Sequence, residues 1–125
     1  MPAVRTTDAM SNPNGRKGAS FEQAVCDHLK ADGWENCERR VKNGRADRGD
    51  VTGLPNVCLE LKNTKELDLA GAMTEAKVEA GHAGARYYAA ILKRRGKPTS
   101  EAYAVMSLDQ FSQWARVLEA HGYLR

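Results

Sequence analysis

At 125 residues and 13.7 kDa the chain has room for one domain, a single sheet with helices packed against it. A hydrophobic content of 42 % supports an ordinary core, and no run approaches the roughly 18 apolar residues of a membrane span. The formal net charge is only +3, which excludes a strongly polycationic or acidic protein and moves attention to how the charges are distributed.

Residues 1–15 are rich in Thr, Asp, Ser, Asn, Pro and Gly and poor in large apolar side chains. The expectation is a mobile arm over residues 1–16, followed by one domain over 17–125. The start has no apolar stretch of the kind a secretory signal needs. Cys26, Cys37 and Cys58 are odd in number and lack C-x-x-C spacing. They are therefore expected as reduced thiols of an intracellular, cytoplasmic protein, and no second pair accompanies Cys26 and His28 to complete a zinc site.

A first helix is expected over residues 17–32, with Ser20 and Gln23 as a capping box and Phe21, Val25 and Leu29 as its buried stripe. Gly33 is a natural terminator. Glu22 lies at the margin of the stripe, either as an acid favoured near a helix start or as a group leaning over the sheet. Residues 33–41 read as a strand, with Trp34 and Cys37 at apolar positions. It passes into a basic, glycine-punctuated loop carrying Lys42, Arg45 and Arg48.

The centre of the chain is a hairpin. Asp50 to Thr52 forms one short strand, Gly53-Leu54-Pro55-Asn56 supplies turn chemistry, and residues 57–63 form the return strand. In the return strand Val57, Leu59 and Leu61 alternate with Cys58, Glu60 and Lys62, a period of two with one apolar face. Glu60 and Lys62 then share a face, and a turn of this length folds Asp50 back beside Glu60.

Residues 68–83 read as a second helix with a narrow alanine-rich face. Its Glu75 and Glu79, one turn apart, are expected on a solvated surface. Residues 87–92 are nearly all apolar, as in an interior strand. A basic loop with Lys93, Arg94, Arg95 and Lys97 follows, then a strand over 102–106. Ser107 and Gln110 form a second capping box. They open a helix whose Leu108, Phe111, Trp114, Ala115 and Leu118 make an apolar stripe, with Trp114 expected in the core.

Two carboxylates and a lysine on one patch of sheet suit phosphodiester cleavage. That reaction needs a hard cation to hold a water and neutralise charge building on the phosphate. Mg²⁺ takes oxygen ligands, and Asp50 and Glu60 with the backbone carbonyl of Cys58 or Leu61 offer them. Lys62 is placed to orient or deprotonate the water, or to stabilise the transition state. The basic clusters, Arg39, Arg40, Lys42, Arg45 and Arg48 on one side and Lys93, Arg94 and Arg95 on the other, flank this hairpin in sequence. With Arg16 and Lys17 they are the candidate DNA contacts.

The order α-β-β-β-α-β, with Lys17-Gly18 and Glu22 in the first helix, Arg48-Gly49-Asp50-Val51, and Leu59-Glu60-Leu61-Lys62-Asn63, resembles the PD-(D/E)xK nuclease superfamily. More narrowly it is similar to archaeal-type Holliday-junction resolvases and resolvase-like nucleases of actinobacterial phages, which Lys93-Arg94-Arg95-Gly96 also resembles. Gly49 stands where the family name has a proline. The resemblance implies an α/β fold, a restriction-endonuclease-like mixed sheet flanked by helices with a C-terminal strand and helix added. It also implies a Mg²⁺- or Mn²⁺-dependent endonuclease acting as a homodimer on branched DNA, in a bacterial host cell. Glu22, Asp50 and Glu60 would be the acidic ligands, Lys62 the catalytic lysine and Glu75 an assisting residue. The competing expectations are a nuclease of other specificity (restriction-type, nicking or exonuclease) and a DNA-binding module without catalysis.

Overall fold

A computed structural model describes residues 13–39 and 50–124. The expectations that fall on Arg40, Lys42, Arg45, Arg48 and Gly49 therefore lie outside the described residues, as do those on residues 1–12. Helix α1 spans Pro13–Ala31, so four residues of the expected arm are helical. Pro13 suits a first turn because its missing N–H has no helical partner there. Ser20 lies well inside α1, so it caps nothing. Gln23 donates instead to Asp27, at 2.9 Å. Past the helix the chain turns tightly, with Gly33 in the left-handed region and Trp34 N–H donating to Leu29 C=O at 3.0 Å. These turns consume most of the segment expected as a strand. Strand β1 is only Glu38–Arg39, and Trp34 is 43 % exposed.

Strands β2 (Val51–Thr52) and β3 (Val57–Lys62) form the expected antiparallel hairpin. Val51 lies opposite Leu59, which sets Asp50 opposite Glu60. The turn needs its glycine. Gly53 has φ 112°, and a β-carbon there would run into the backbone of Asn36 and Cys37.

Helix α2 (Leu69–Ala83) carries the chain from β3 to β4 (Tyr87–Leu92), which lies parallel to β3. Asp68 caps α2 by accepting from Gly71 N–H, and Gly84, at φ 69°, ends it. Strand β5 (Tyr103–Val105) runs antiparallel to β4, and helix α3 (Leu108–Ala120) follows. The sheet order is β1-β2-β3-β4-β5: a mixed five-stranded sheet flanked by helices, an α/β fold.

Strand alternation divides the core. Leu59, Leu61 and Ala89 pack with Phe21 and Val25 of α1, whereas Ala90 and Leu92 pack with Ala72 of α2. Even-numbered residues of β3 therefore face α2. Cys26, Cys37 and Cys58 are buried and not joined in disulfides, and burial, followed by the neighbouring Cys37, pushes the Cys26 thiol up to about 12.

Helix α3 corrects the sequence reading. Ser107 caps it as expected, accepting from Gln110 N–H at 3.3 Å. The side chain of Gln110 does not reach back to Ser107. It accepts from Tyr88 N–H at 2.8 Å and donates to Tyr88 C=O at 3.0 Å. Strand β5 pairs only with Ala90 to Leu92, so the buried Gln110 amide extends the ladder where β5 has already ended. Consecutive helix residues lie about 100° apart. Anchoring Gln110 inward therefore turns the apolar stripe outward. Leu108 is 81 % and Phe111 59 % exposed, and Trp114 sits at the margin, its ring edge-on to Tyr87 at 5.5 Å, not in the core. No helix among the described residues is long and apolar enough to cross a membrane.

A candidate metal centre between β3 and α2

The hairpin register builds one side of the site. Asp50 is buried, and its Oδ2 accepts from Leu61 N–H at 2.8 Å while its own N–H donates to Leu59 C=O at 3.0 Å. One carboxylate oxygen of Asp50 is thus fixed by the strand it faces. Leu61 enters this contact through its N–H, next to Glu60.

Helix α2 builds the other side. Glu60, Glu75 and Glu79 bring carboxylate oxygens within 4.8 Å of one another. Glu79 is buried, against the expectation of a solvated surface for the Glu75 and Glu79 pair. The reason is its place on the helix, since Ala72, Ala76, Glu79 and Ala80 share the sheet-facing arc. Glu75 is exposed at the edge of that arc and accepts from Lys62 Nζ at 3.1 Å. Lys62 Nζ also lies 3.2 Å from Glu60 Oε2.

The electrostatics are one-sided. Burial, then hydrogen bonding with Glu79, then the charges of Asp50 and Glu79, raise the Glu60 carboxyl far above the usual carboxylate range. Glu60 is only 5 % exposed, and its Oε1 has no hydrogen-bond partner among the described residues. Burial works against the charge on Lys62, but hydrogen bonds to Glu75 and Glu60 outweigh it and raise its pKa, so the ammonium is kept. Four carboxyl groups around one ammonium lack a positive charge. A cation placed among Glu60, Glu75 and Glu79 would supply it, and the hard oxygen donors suit Mg²⁺ or Mn²⁺.

The remaining predicted residues distribute around this centre. Glu22 is on α1 and is gripped by Arg39, Nε to Oε1 at 3.3 Å, and it is not among the converging glutamates. Lys93 N–H donates to Lys62 C=O at 3.0 Å, so the second basic segment begins at the strand end that carries Lys62. Its Lys93 and Arg95 are exposed, and Arg94 pairs with Glu101 at 3.3 Å.

Two residues were missed by sequence reasoning. Glu79 was legible in principle, because it completes an i, i+4, i+7 spacing with Ala72 and Ala76. Tyr103 had no signal in the chain. The sheet register puts Lys62, Leu92 and Tyr103 in one row, and Val105, two residues on from Tyr103, packs on the α2 side. Tyr103 therefore shares the face of Lys62, 54 % exposed, with the Arg94 guanidinium 4.7 Å from its ring centre.

No protein-family model, curated protein or solved structure matches the chain.

Proposed function

We propose that the protein is a metal-dependent endodeoxyribonuclease of the PD-(D/E)xK type, acting on branched DNA such as a four-way junction. The observation that carries the reading is the convergence of Glu60, Glu75 and Glu79 beside a charged Lys62, with Asp50 opposite Glu60. A lone acidic patch needs no substrate. Here a buried carboxylate oxygen without a partner, an excess of carboxyls and a retained ammonium stand together at the end of a strand that leads into Lys93, Arg94 and Arg95.

Mg²⁺ or Mn²⁺ would be held by Glu60 with Glu75 and Glu79, and by Asp50 and the Leu61 carbonyl if the family pattern holds. Its chemistry is to polarise the phosphate and lower the pKa of the attacking water. The chain supplies the rest. Hydrogen bonding to Leu61 N–H orients the Asp50 carboxylate. Lys62, kept charged by Glu75 and Glu60, acts as a cation that stabilises negative charge on the phosphate, in preference to acting as a base. Arg39, Lys93, Arg94 and Arg95 bind backbone phosphates. Contacts of this kind follow the shape of DNA and not its base sequence.

The test is cleavage of a labelled four-way junction and a matched linear duplex with Mg²⁺ or with EDTA. Metal-dependent cutting of the junction alone is expected, and Asp50→Asn and Lys62→Ala should each abolish it while leaving DNA binding largely intact. Cutting of both substrates removes the selectivity for junctions. Binding without cutting in either condition makes the chain a DNA-binding module.

A further inference from the structure

Among Lys93, Arg94, Arg95 and Lys97, only Arg94 is half-buried, and the other three are exposed. Its Nη1 donates to Glu101 Oε1 at 3.3 Å, and its guanidinium lies 4.7 Å from the ring centre of Tyr103. Both ends of the Arg94–Glu101 pair stand on firm backbone. Glu101 closes the short helical turn Thr99–Glu101, in which Glu101 N–H donates to Pro98 C=O at 2.9 Å and Ala102 N–H to Thr99 C=O at 3.0 Å. Ala102 then packs against the core that holds Phe21 and Val25. On the other side Lys93, next to Arg94, is bonded through its N–H to Lys62 C=O.

We infer that Glu101 is a positioning residue, which holds Arg94 in the orientation that grips a DNA backbone phosphate beside the one Lys62 faces; this rests on the DNA-binding reading of this face. A guanidinium carries several N–H donors in a planar fork. Glu101 engages one nitrogen, and Arg94 has no other acceptor among the described residues. The donors left over suit a phosphate, which such a fork binds in pairs. A long side chain loses rotamer freedom when it binds, and one already tethered by a carboxylate loses less. The place also fits. Tyr103, under the Arg94 guanidinium, shares a sheet row with Leu92 and Lys62, about 10 Å across the sheet from Lys62. Arg94 thus lies alongside the metal centre and not within it. Glu101 is itself an anion, and an anion next to DNA repels it. Its direct charge and its hold on Arg94 therefore act on DNA affinity with opposite signs.

That opposition of signs is tested by binding of a labelled four-way junction and a matched duplex in EDTA, where nothing is cut. The full chain is compared with Glu101→Ala, Arg94→Ala and the double variant. Glu101→Ala removes a negative charge, yet it should weaken binding of both DNAs about 2- to 10-fold, the equivalent of ordering one long side chain. Arg94→Ala should weaken binding further and lower the slope of log K against log salt by about 0.9, one phosphate contact. In the Arg94→Ala background, Glu101→Ala should cost nothing more, because nothing is left to position. An equal loss in both backgrounds would make Glu101 a support of its own turn and overturns the inference. Tighter or unchanged binding by Glu101→Ala overturns it as well and makes Glu101 an ordinary surface acid. Both side chains reach the surface, so circular dichroism should be unchanged in all variants. A wild type that binds neither DNA removes the DNA-binding reading and this inference together, whereas a wild type that binds while Glu101→Ala shows no loss removes this inference alone.

Discussion

Glu60 of β3 and Glu79 of α2 are each 5 % exposed, yet their carboxylate oxygens lie within 4.8 Å of one another. Without a cation such a pair holds a proton. The folded Glu60 carboxyl is raised from 4.5 to about 10, so between those values the native state binds a proton that the unfolded chain releases. Stability from this group is complete below pH 4.5 and declines as pH rises toward 10. In EDTA, the melting temperature should therefore fall between pH 5 and pH 9. Glu60→Gln should flatten that slope and stabilise the metal-free protein at the alkaline end by about 1–3 kcal/mol. Thermal melts across pH check this, and an unchanged slope in Glu60→Gln would show that the carboxyl is ionised in the native protein.

The two α2 glutamates make a prediction that separates burial from exposure. Glu79 faces the sheet, whereas Glu75 reaches the site from the rim and holds Lys62. If both hold the cation, Mn²⁺ should raise the melting temperature of the wild type. At a hundredfold excess over Kd the gain is about 2.7 kcal/mol. Glu79→Gln and Glu75→Gln should each lose most of that gain, and cleavage should drop about 10- to 100-fold, in line with loss of a group orienting the metal. Equal Mn²⁺ shifts in wild type and Glu79→Gln would remove Glu79 from the metal site and leave it a proton partner of Glu60.

The hairpin was legible because period-two alternation, a turn with Gly and Pro and a fixed loop length together determine register, and Asp50 does lie opposite Glu60. Helix α2 was legible for the same kind of local reason, from Asp68 at its start to Gly84 at its end. What failed was orientation. The stripe on α3 is as apolar as a buried one, and only the contact between Gln110 and Tyr88, 22 residues apart in sequence, decides which side turns in. Glu79 failed for a related reason. A carboxylate on a sheet-facing arc is read as solvated until the strand opposite is known to offer Glu60 and Lys62. The row from Lys62 to Tyr103 needs the full sheet order, which no local pattern contains.

Gln110 carries a structural prediction of its own. Its amide closes two hydrogen bonds with the backbone of one residue, Tyr88, and is 6 % exposed. Gln110→Leu keeps much of the volume but leaves the half-buried N–H and C=O of Tyr88 without these partners. The cost should be about 1–3 kcal/mol for each group. Amide exchange should accelerate at Tyr88 and along α3 before the hairpin is affected. Uniform acceleration across the whole sheet would mean that α3 does not open as a separate unit.

Tyr103 makes the sharpest claim about substrate. Strands lie about 4.8 Å apart, so two strand spacings set Tyr103 about 10 Å across the sheet from Lys62. That is within reach of a nucleotide neighbouring the phosphate beside Lys62. Its exposed ring, with Arg94 beside it, offers a face for an unpaired base, and such stacking contributes about 1–3 kcal/mol by alanine substitution. Tyr103→Ala should weaken binding of a junction or flap by about 5- to 150-fold. Tyr103→Phe should bind like wild type, because the ring and not the hydroxyl makes the contact. A fully paired duplex, which has no free base to offer, should bind both variants alike. If duplex binding falls as far as junction binding in Tyr103→Ala, the ring contributes to general backbone contact through Arg94, and the preference for branched DNA must come from elsewhere on the protein.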